Sequence, residues 1–270
     1  MKLRVLAVLL ALVAAPAARA QLFSQDPESA IGPDHWGTLA APGAGGPWAT
    51  CGSVLNGTDF VQVGLKQSPI DIVGAVDAPL PNLVFSYQPA PFEVENNGHT
   101  IEVVFPPGSV VKIGESTYEL QQFHIHTPSE HAVAGKLSGL ELHLVHKNAY
   151  GDLAVVGVLF DTSLPPNRLI GSIIAAAPME EGVNVVEGRT IDATQLLPWK
   201  KTYFAYSGSL TTPPCTEGVR WSVLDTKLGI SQAALDRLQA IVAKFPGYDG
   251  YRFNNRPVRP LNGRGVFHSK

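Results

Sequence analysis

The sequence has 270 residues, 45% hydrophobic and 16% charged, with 20 basic against 23 acidic side chains and a formal charge of −3. That balance excludes intrinsic disorder, which needs low hydrophobicity and high net charge, and it excludes a strongly basic nucleic-acid-binding surface. Two cysteines are too few for a disulfide-rich miniprotein or a multi-thiolate metal module, yet enough for one internal bridge.

Residues 1–20 carry the three parts of a secretory signal: basic Lys2 and Arg4, the apolar run Val5 to Val13, and the small-x-small site Ala18-Arg19-Ala20. The run is shorter than the ~20 apolar residues that a membrane span requires. Cleavage before Gln21 is therefore expected, with export to a periplasm or the cell exterior and no membrane span in the mature chain. Cleavage removes three basic residues and no acid, leaving 250 residues with a formal charge of −6. Residues 21 to 60 show little periodicity, least of all from Leu39 to Gly46, and read as an irregular segment that wraps the surface.

Beyond it, short runs rich in Val, Ile, Phe and Tyr alternate with Gly and Pro clusters. Strands are expected over Leu83 to Tyr87, Phe92 to Glu95, Thr100 to Phe105, Ser109 to Ile113, Thr117 to His126, Leu140 to Lys147, Leu153 to Phe160 and Gly218 to Leu224. Helical spacing is confined to Leu169, Ile170, Ile173, Ile174 and Ala177, after a Pro165-Pro166 start, and to Leu235, Leu238, Ile241, Val242 and Phe245, between a Ser231 cap and a Pro246-Gly247 stop. No internal boundary or repeat interrupts residues 21–270. The expected fold is a single, mainly β (α+β) domain, with a large, mostly antiparallel twisted sheet flanked by a few short helices.

Six of the eight histidines fall between His99 and His146. In the strand ending Gln122-Phe123-His124-Ile125-His126, period-2 alternation puts His124 and His126 on one face and Phe123 and Ile125 on the other. In Glu141-Leu142-His143-Leu144-Val145-His146, the residues Glu141, His143 and Val145 share one face and His146 lies on the opposite one. Alone, His-x-His is weak evidence for a metal site, because histidines at alternate positions often just sit in a polar sheet face. If the two strands are neighbours, three imidazoles converge as catalytic zinc requires, with a fourth position left for water and Glu141 at hand to orient a ring.

Gln121 to His131 (QQFHIHTPSEH), Glu141 to Asn148 (ELHLVHKN) and Ser207 to Cys215 (SGSLTTPPC) closely resemble signature segments of the alpha-class carbonic anhydrases. His35-Trp36-Gly37, Gln67 to Ile72, Asn96-Asn97-Gly98-His99 and Asn254-Asn255-Arg256-Pro257 resemble further ones, in the family's order and across nearly the whole mature chain.

The resemblance implies reversible hydration of carbon dioxide to bicarbonate and a proton. His124, His126 and His143 would bind Zn2+, and Gln122 and Glu141 would accept hydrogen bonds from the ligand rings. It also implies that Thr211, giving its one proton to Glu130, aims a zinc-bound hydroxide. Val145, Val155, Leu210, Thr212 and Trp221 match positions that line the substrate pocket, with Val219 close by. His99 matches the family's proton shuttle, a task suited to an imidazole with an ordinary pKa near 6.5. His35, His131 and His146 are expected to be structural, and His268 to sit in a mobile tail. Inhibition by sulfonamides and small anions is implied; oligomeric state is left open.

Two positions depart from the family: Thr38 stands where many members carry a tyrosine, and Glu102 where an amide is common. Both bear on water order and proton transfer rather than on the hydration step. Two other classes compete. A non-catalytic binding module would be expected to lack ligands, and a zinc peptidase would be expected to carry a His-Glu-x-x-His helix, which is absent. Finally, Cys51 and Cys215 match a pair that is disulfide-bonded in exported family members, and an exporting compartment would preserve the bond.

Overall fold

A computed structural model describes residues 23–39, 48–56, 59–62 and 64–270. The secretory signal, Gln21 and most of the stretch from Leu39 to Gly46 lie outside these residues.

The main sheet is mixed and mostly antiparallel. Ten of its strands form a continuous path, in the order Gly182–Ile191, Ala90–Asn96, Ile101–Val104, Ser116–His126, Leu140–Lys147, Leu153–Pro166, Glu217–Leu224, Tyr203–Ser209, Phe267–Ser269 and Val76–Ala78. Leu153–Pro166 runs parallel to Glu217–Leu224, and Phe267–Ser269 runs parallel to Val76–Ala78. The other neighbours on the path are antiparallel. No helix among the described residues is long and apolar enough to cross a membrane.

Alternation sorts the central strands into two faces. Phe123, Ile125, Leu142, Leu144, Val156 and Val158 bury themselves in the main core, which the two helices complete with Ile170, Ile173, Ile174, Leu235, Leu238, Ile241 and Val242. The first helix, α1 (Arg168–Ala176), does not start at the prolines. The preceding strand continues through Pro166, and Asn167 caps the helix by accepting from the backbone N–H groups of Leu169 and Ile170. The second, α2 (Gln232–Val242), is capped by Ser231 as expected. It also serves its neighbour: Arg237 donates to the carbonyls of Ile174 and Ala177, satisfying acceptors that the end of α1 leaves open.

All eight expected strand regions contain a strand. Gly182–Ile191 and Tyr203–Ser209 are the longest of the additional strands. The N-terminal segment is less irregular than expected, with two 3-10 turns, Trp36–Thr38 and Ala49–Cys51, and a hairpin of Ser53–Asn56 with Asp59–Gln62. His268 is not in a loose tail. It lies in the last strand, with its two ring nitrogens 3.2 and 3.1 Å from carboxylate oxygens of Asp77 and Asp225.

Cys51 and Cys215 are disulfide-bonded and fully buried in a satellite cluster with Phe23, Trp36 and Trp48. The bridge ties the N-terminal segment to the loop after Ser209. Its partners are 164 residues apart, for which the chain-entropy account gives a contribution of up to about 5 kcal/mol. Replacing both cysteines with serine should therefore lower the urea midpoint of unfolding clearly. An unchanged midpoint would mean that packing alone holds the two segments together.

Candidate metal centre

Strand register builds the centre. Across five adjacent strands, Glu102, His124, His143, Gly157 and Val223 lie in one row, each opposite the next. The adjacent row holds Gln122, Val145, Val155 and Trp221, while Glu141 pairs with His126 on the other side. Facing residues in antiparallel strands sit about 5 Å apart. Gln122, His124, His126, Glu141, His143, Val145, Val155 and Trp221 thus share one patch of the sheet face opposite the helices, whereas His99, Glu130, Leu210, Thr211 and Thr212 lie on loops. A register shift after Val145 leaves this patch intact and falls before His146, which faces the main core and meets the Tyr87 hydroxyl at 2.7 Å.

Each of the three imidazoles has one nitrogen beside an acceptor. His124 Nδ1 is 2.8 Å from Gln122 Oε1, His126 Nδ1 is 2.6 Å from the Asn254 carbonyl, and His143 Nε2 is 3.0 Å from Glu141 Oε1. Hydrogen bonds place the ring protons of His124 and His126 at Nδ1, leaving Nε2 with its lone pair. The Glu141 carboxylate, 3.0 Å from His143 Nε2 in an ion-pair contact outside hydrogen-bond geometry, draws that ring's proton to Nε2 and leaves Nδ1 free. The three rings bring ligating nitrogens within 4.8 Å of one another, and His126 Nε2 is buried without any hydrogen-bond partner. Three neutral nitrogens, each backed by an acceptor, suit zinc with a fourth position open.

The electrostatics agree. Burial, helped by the neighbouring imidazoles, holds the pKa of His124 well below its usual value; burial also lowers that of His126, so both rings stay neutral, as metal binding requires. Burial pulls His143 the same way, but the Glu141 carboxylate outweighs it and raises the pKa. For Glu141 itself, burial opposes ionisation, and the contacts with His131 and His143 overcome it, keeping the group well below the ordinary carboxylate range.

Glu141 is fully buried and fully used. Its Oε2 accepts from the backbone N–H groups of Glu130 and His131, and its Oε1 also lies 2.7 Å from His131 Nδ1. His131 Nε2 in turn sits 2.6 Å from the Tyr206 hydroxyl, so this histidine is structural as expected. Gly157 leaves room for the carboxylate: a Cβ there would stand 2.9 Å from Glu141 Oε1.

Glu130 Oε1 accepts from the Arg256 backbone N–H, while Oε2 has no hydrogen bond and points toward His126 Nε2 and His143 Nδ1 at 3.5 and 3.8 Å. Thr211 is buried on the loop before Pro213, and no direct hydrogen bond joins it to Glu130. Val155, Val219 and Trp221 form a second apolar cluster with the half-buried Val145 and Leu210, and the indole N–H of Trp221 donates to the Ser209 carbonyl.

A pocket of about 220 Å³ opens beside His124 and His126, lined also by Phe23, Asn97, His99, Glu102, Gln122 and Thr212. A larger cavity of about 500 Å³, near Arg220, Arg264 and Phe267, contains none of the imidazoles. Convergent polar groups, not volume, mark the smaller one as the functional pocket. Within it, burial lowers the His99 pKa to about 4, and burial with the charge of Glu95 raises that of Glu102 to about 7.

Two residues that hold the centre were not legible as site residues. Asn254 supplies the acceptor for His126, and Arg256 fixes Glu130 through its backbone while its buried guanidinium donates to Gln67, Ser68 and Cys51. The Asn-Asn-Arg-Pro motif marked the segment, but contacts with residues more than a hundred positions away leave no local pattern.

Over residues 57–270 the chain matches the family described as eukaryotic-type carbonic anhydrase. Carbonic anhydrases of Nostoc sp. and Neisseria gonorrhoeae are 40% and 38% identical to it, over 88% and 86% of this chain and 83% and 87% of theirs. The solved complex of the alpha-carbonic anhydrase from Thermovibrio ammonificans with the inhibitor sulfanilamide aligns with a TM-score of 0.78 at 37% identity, covering 91% of this chain and 98% of that one. A family match over residues 57–270, with relatives and a solved structure that align over about nine tenths of the chain, makes this chain a member of the alpha, or eukaryotic-type, carbonic anhydrase family of enzymes.

Proposed function

We propose that the chain catalyses the reversible hydration of carbon dioxide to bicarbonate and a proton, with zinc held by His124, His126 and His143. The observation that carries this reading is the set of three ring nitrogens left free because Gln122, Asn254 and Glu141 occupy the others. Zinc, when bound, supplies the Lewis acidity that brings the ionisation of water into the neutral range, as is known of carbonic anhydrases themselves.

The chain's own residues do the rest. Glu130 is fixed at Oε1 by Arg256 and keeps Oε2 without a hydrogen bond. By resemblance to the family, Oε2 would take the single proton of Thr211, a contact that has to form from the present arrangement, and the threonine oxygen would then accept from the attacking water and orient it. Val145, Val155, Leu210 and Trp221 pack together and match the family's apolar wall, which favours a small apolar substrate over bulk water. Of the matched lining residues, Thr212 borders the pocket beside His124 and His126, and Trp221 borders the larger cavity. His99, in the same pocket, is the group to carry the released proton outward. Sulfonamides and small anions would compete for the position opposite the imidazoles. The leader at residues 1–20 would send the domain at 21–270 to a periplasm or the outside, where the Cys51–Cys215 bond persists.

Stopped-flow hydration assays test the reading directly: activity should be present, should vanish on zinc chelation and return with zinc, and should fall about 100-fold in Thr211→Ala with zinc content unchanged. A metal-loaded protein with no hydration activity would overturn it. Gly157→Ala should weaken zinc affinity 10- to 100-fold without altering a ligand, because the added methyl displaces the Glu141 carboxylate that backs His143. Competition with a chromophoric chelator measures this, and equal affinity would mean that Glu141 has room to yield. In an exporting host, intact-mass measurement of the released protein should give a chain beginning at Gln21; a retained full-length chain would contradict export.

A further inference from the structure

The larger cavity, of about 500 Å³, stands apart from the imidazoles and is lined by three cations, Lys66, Arg220 and Arg264, and by no carboxylate. Strand register explains part of its wall. Ser207 lies opposite Arg220, and Ala205 lies opposite Phe267 on the other neighbouring strand, so alternation puts these four side chains on one sheet face.

The three charges are held differently. Arg264 is fixed, because its guanidinium donates to the carbonyls of Leu261, Ser207, Gln67 and Pro260, and these neutral acceptors leave its charge uncancelled. Arg220 is uncommitted. It is half-buried, and among the described residues its guanidinium makes no hydrogen bond or ion pair. The exposed Lys66 side chain has no ion-pair partner either. The charge of Glu217 acts on Arg264, but this acid lies outside the lining, its Oε1 accepting from the Lys66 backbone N–H and the Gln67 amide. In a chain with more acidic than basic residues, three cations without acid partners around one concavity make a local positive potential.

We propose that this cavity is a second ligand site, separate from the metal centre, and that it takes a small aromatic carboxylate. Its size calls for an organic body, since a water molecule fills only about 30 Å³ and a bare inorganic anion would leave most of the space empty. The free guanidinium of Arg220 is a planar fork that matches the two oxygens of a carboxylate, with Arg264 and Lys66 adding charge around it. On the same sheet face, the exposed Phe267 ring and Ala205 offer the apolar surface on which an aromatic ring would rest. Binding makes and breaks no covalent bond, and it does not depend on the hydration reading.

The probe is para-fluorobenzoate, followed by fluorine NMR in the zinc-loaded protein with sulfanilamide saturating the metal centre. Binding should be saturable in the millimolar range and weaken as salt is raised. The neutral para-fluorobenzamide should bind about 10-fold more weakly, and Arg220→Gln should weaken the carboxylate by about the same factor. Ser207→Tyr, which fills the cavity from the position facing Arg220, should abolish binding. Both variants should keep the parent's affinity for sulfanilamide, which shows that each is folded. Binding unchanged in either variant overturns the proposal, as does equal binding of the amide. Binding seen only without sulfanilamide overturns it too, because the carboxylate would then sit at the imidazoles.

Discussion

The centre depends on a carboxylate that has no access to water. An ion as deeply buried as Glu141 costs several kcal/mol unless its lone pairs are satisfied. Here the satisfaction comes from two backbone N–H groups and two imidazoles. Each partner is thereby committed. The backbone at Glu130 and His131 must curl toward the strand carrying Glu141, His143 must turn its Nε2 to the acid and its Nδ1 to the pocket, and Gly157 must remain without a side chain. The same interaction thus stabilises the turn, selects a ring orientation and restricts the neighbouring strand.

From that point a polar web spreads through residues remote in sequence. His131 passes on to Tyr206, whose hydroxyl is 2.8 Å from Ser68 Oγ, and the Ser68 backbone N–H donates to Ser209 Oγ. Glu130 connects through Arg256 to Gln67, Ser68 and Cys51, the last of these adding the disulfide to the loop that carries Thr211. The buried guanidinium is costly, and burial lowers its pKa to about 9, but its contacts are ones no neutral side chain could make together. Such a web explains why a chain of this length forms one domain: the pocket is assembled from both ends of it.

Much of this was legible because it follows from local chemistry. Alternation alone separated His124 and His126 from Phe123 and Ile125, and His143 from His146, and the Ser231 cap and the apolar stripe of α2 could be read directly. The strand Gly182–Ile191 escaped notice because it is exposed and contains Gly182, Asn184, Glu187 and Gly188, with a register shift between Val185 and Thr190. Tyr203–Ser209 ends in Ser-Gly-Ser, which reads as a turn. The start of α1 was displaced because a proline pair is compatible with a strand, and only the Asn167 side chain supplied the cap.

The sequence by itself determined which side chains share a strand face, where two helices can form, and that a single disulfide was available, since period-2 and period-3.6 patterns and residue counts are local properties. Only the tertiary structure decided that the two histidine strands are neighbours in a register that sets His124 opposite His143, that Asn254 and Arg256 complete the support, and that Phe23 covers His99. Register and burial are set by which distant segments pack together, and that depends on the balance of many long-range contacts that no single stretch of sequence contains.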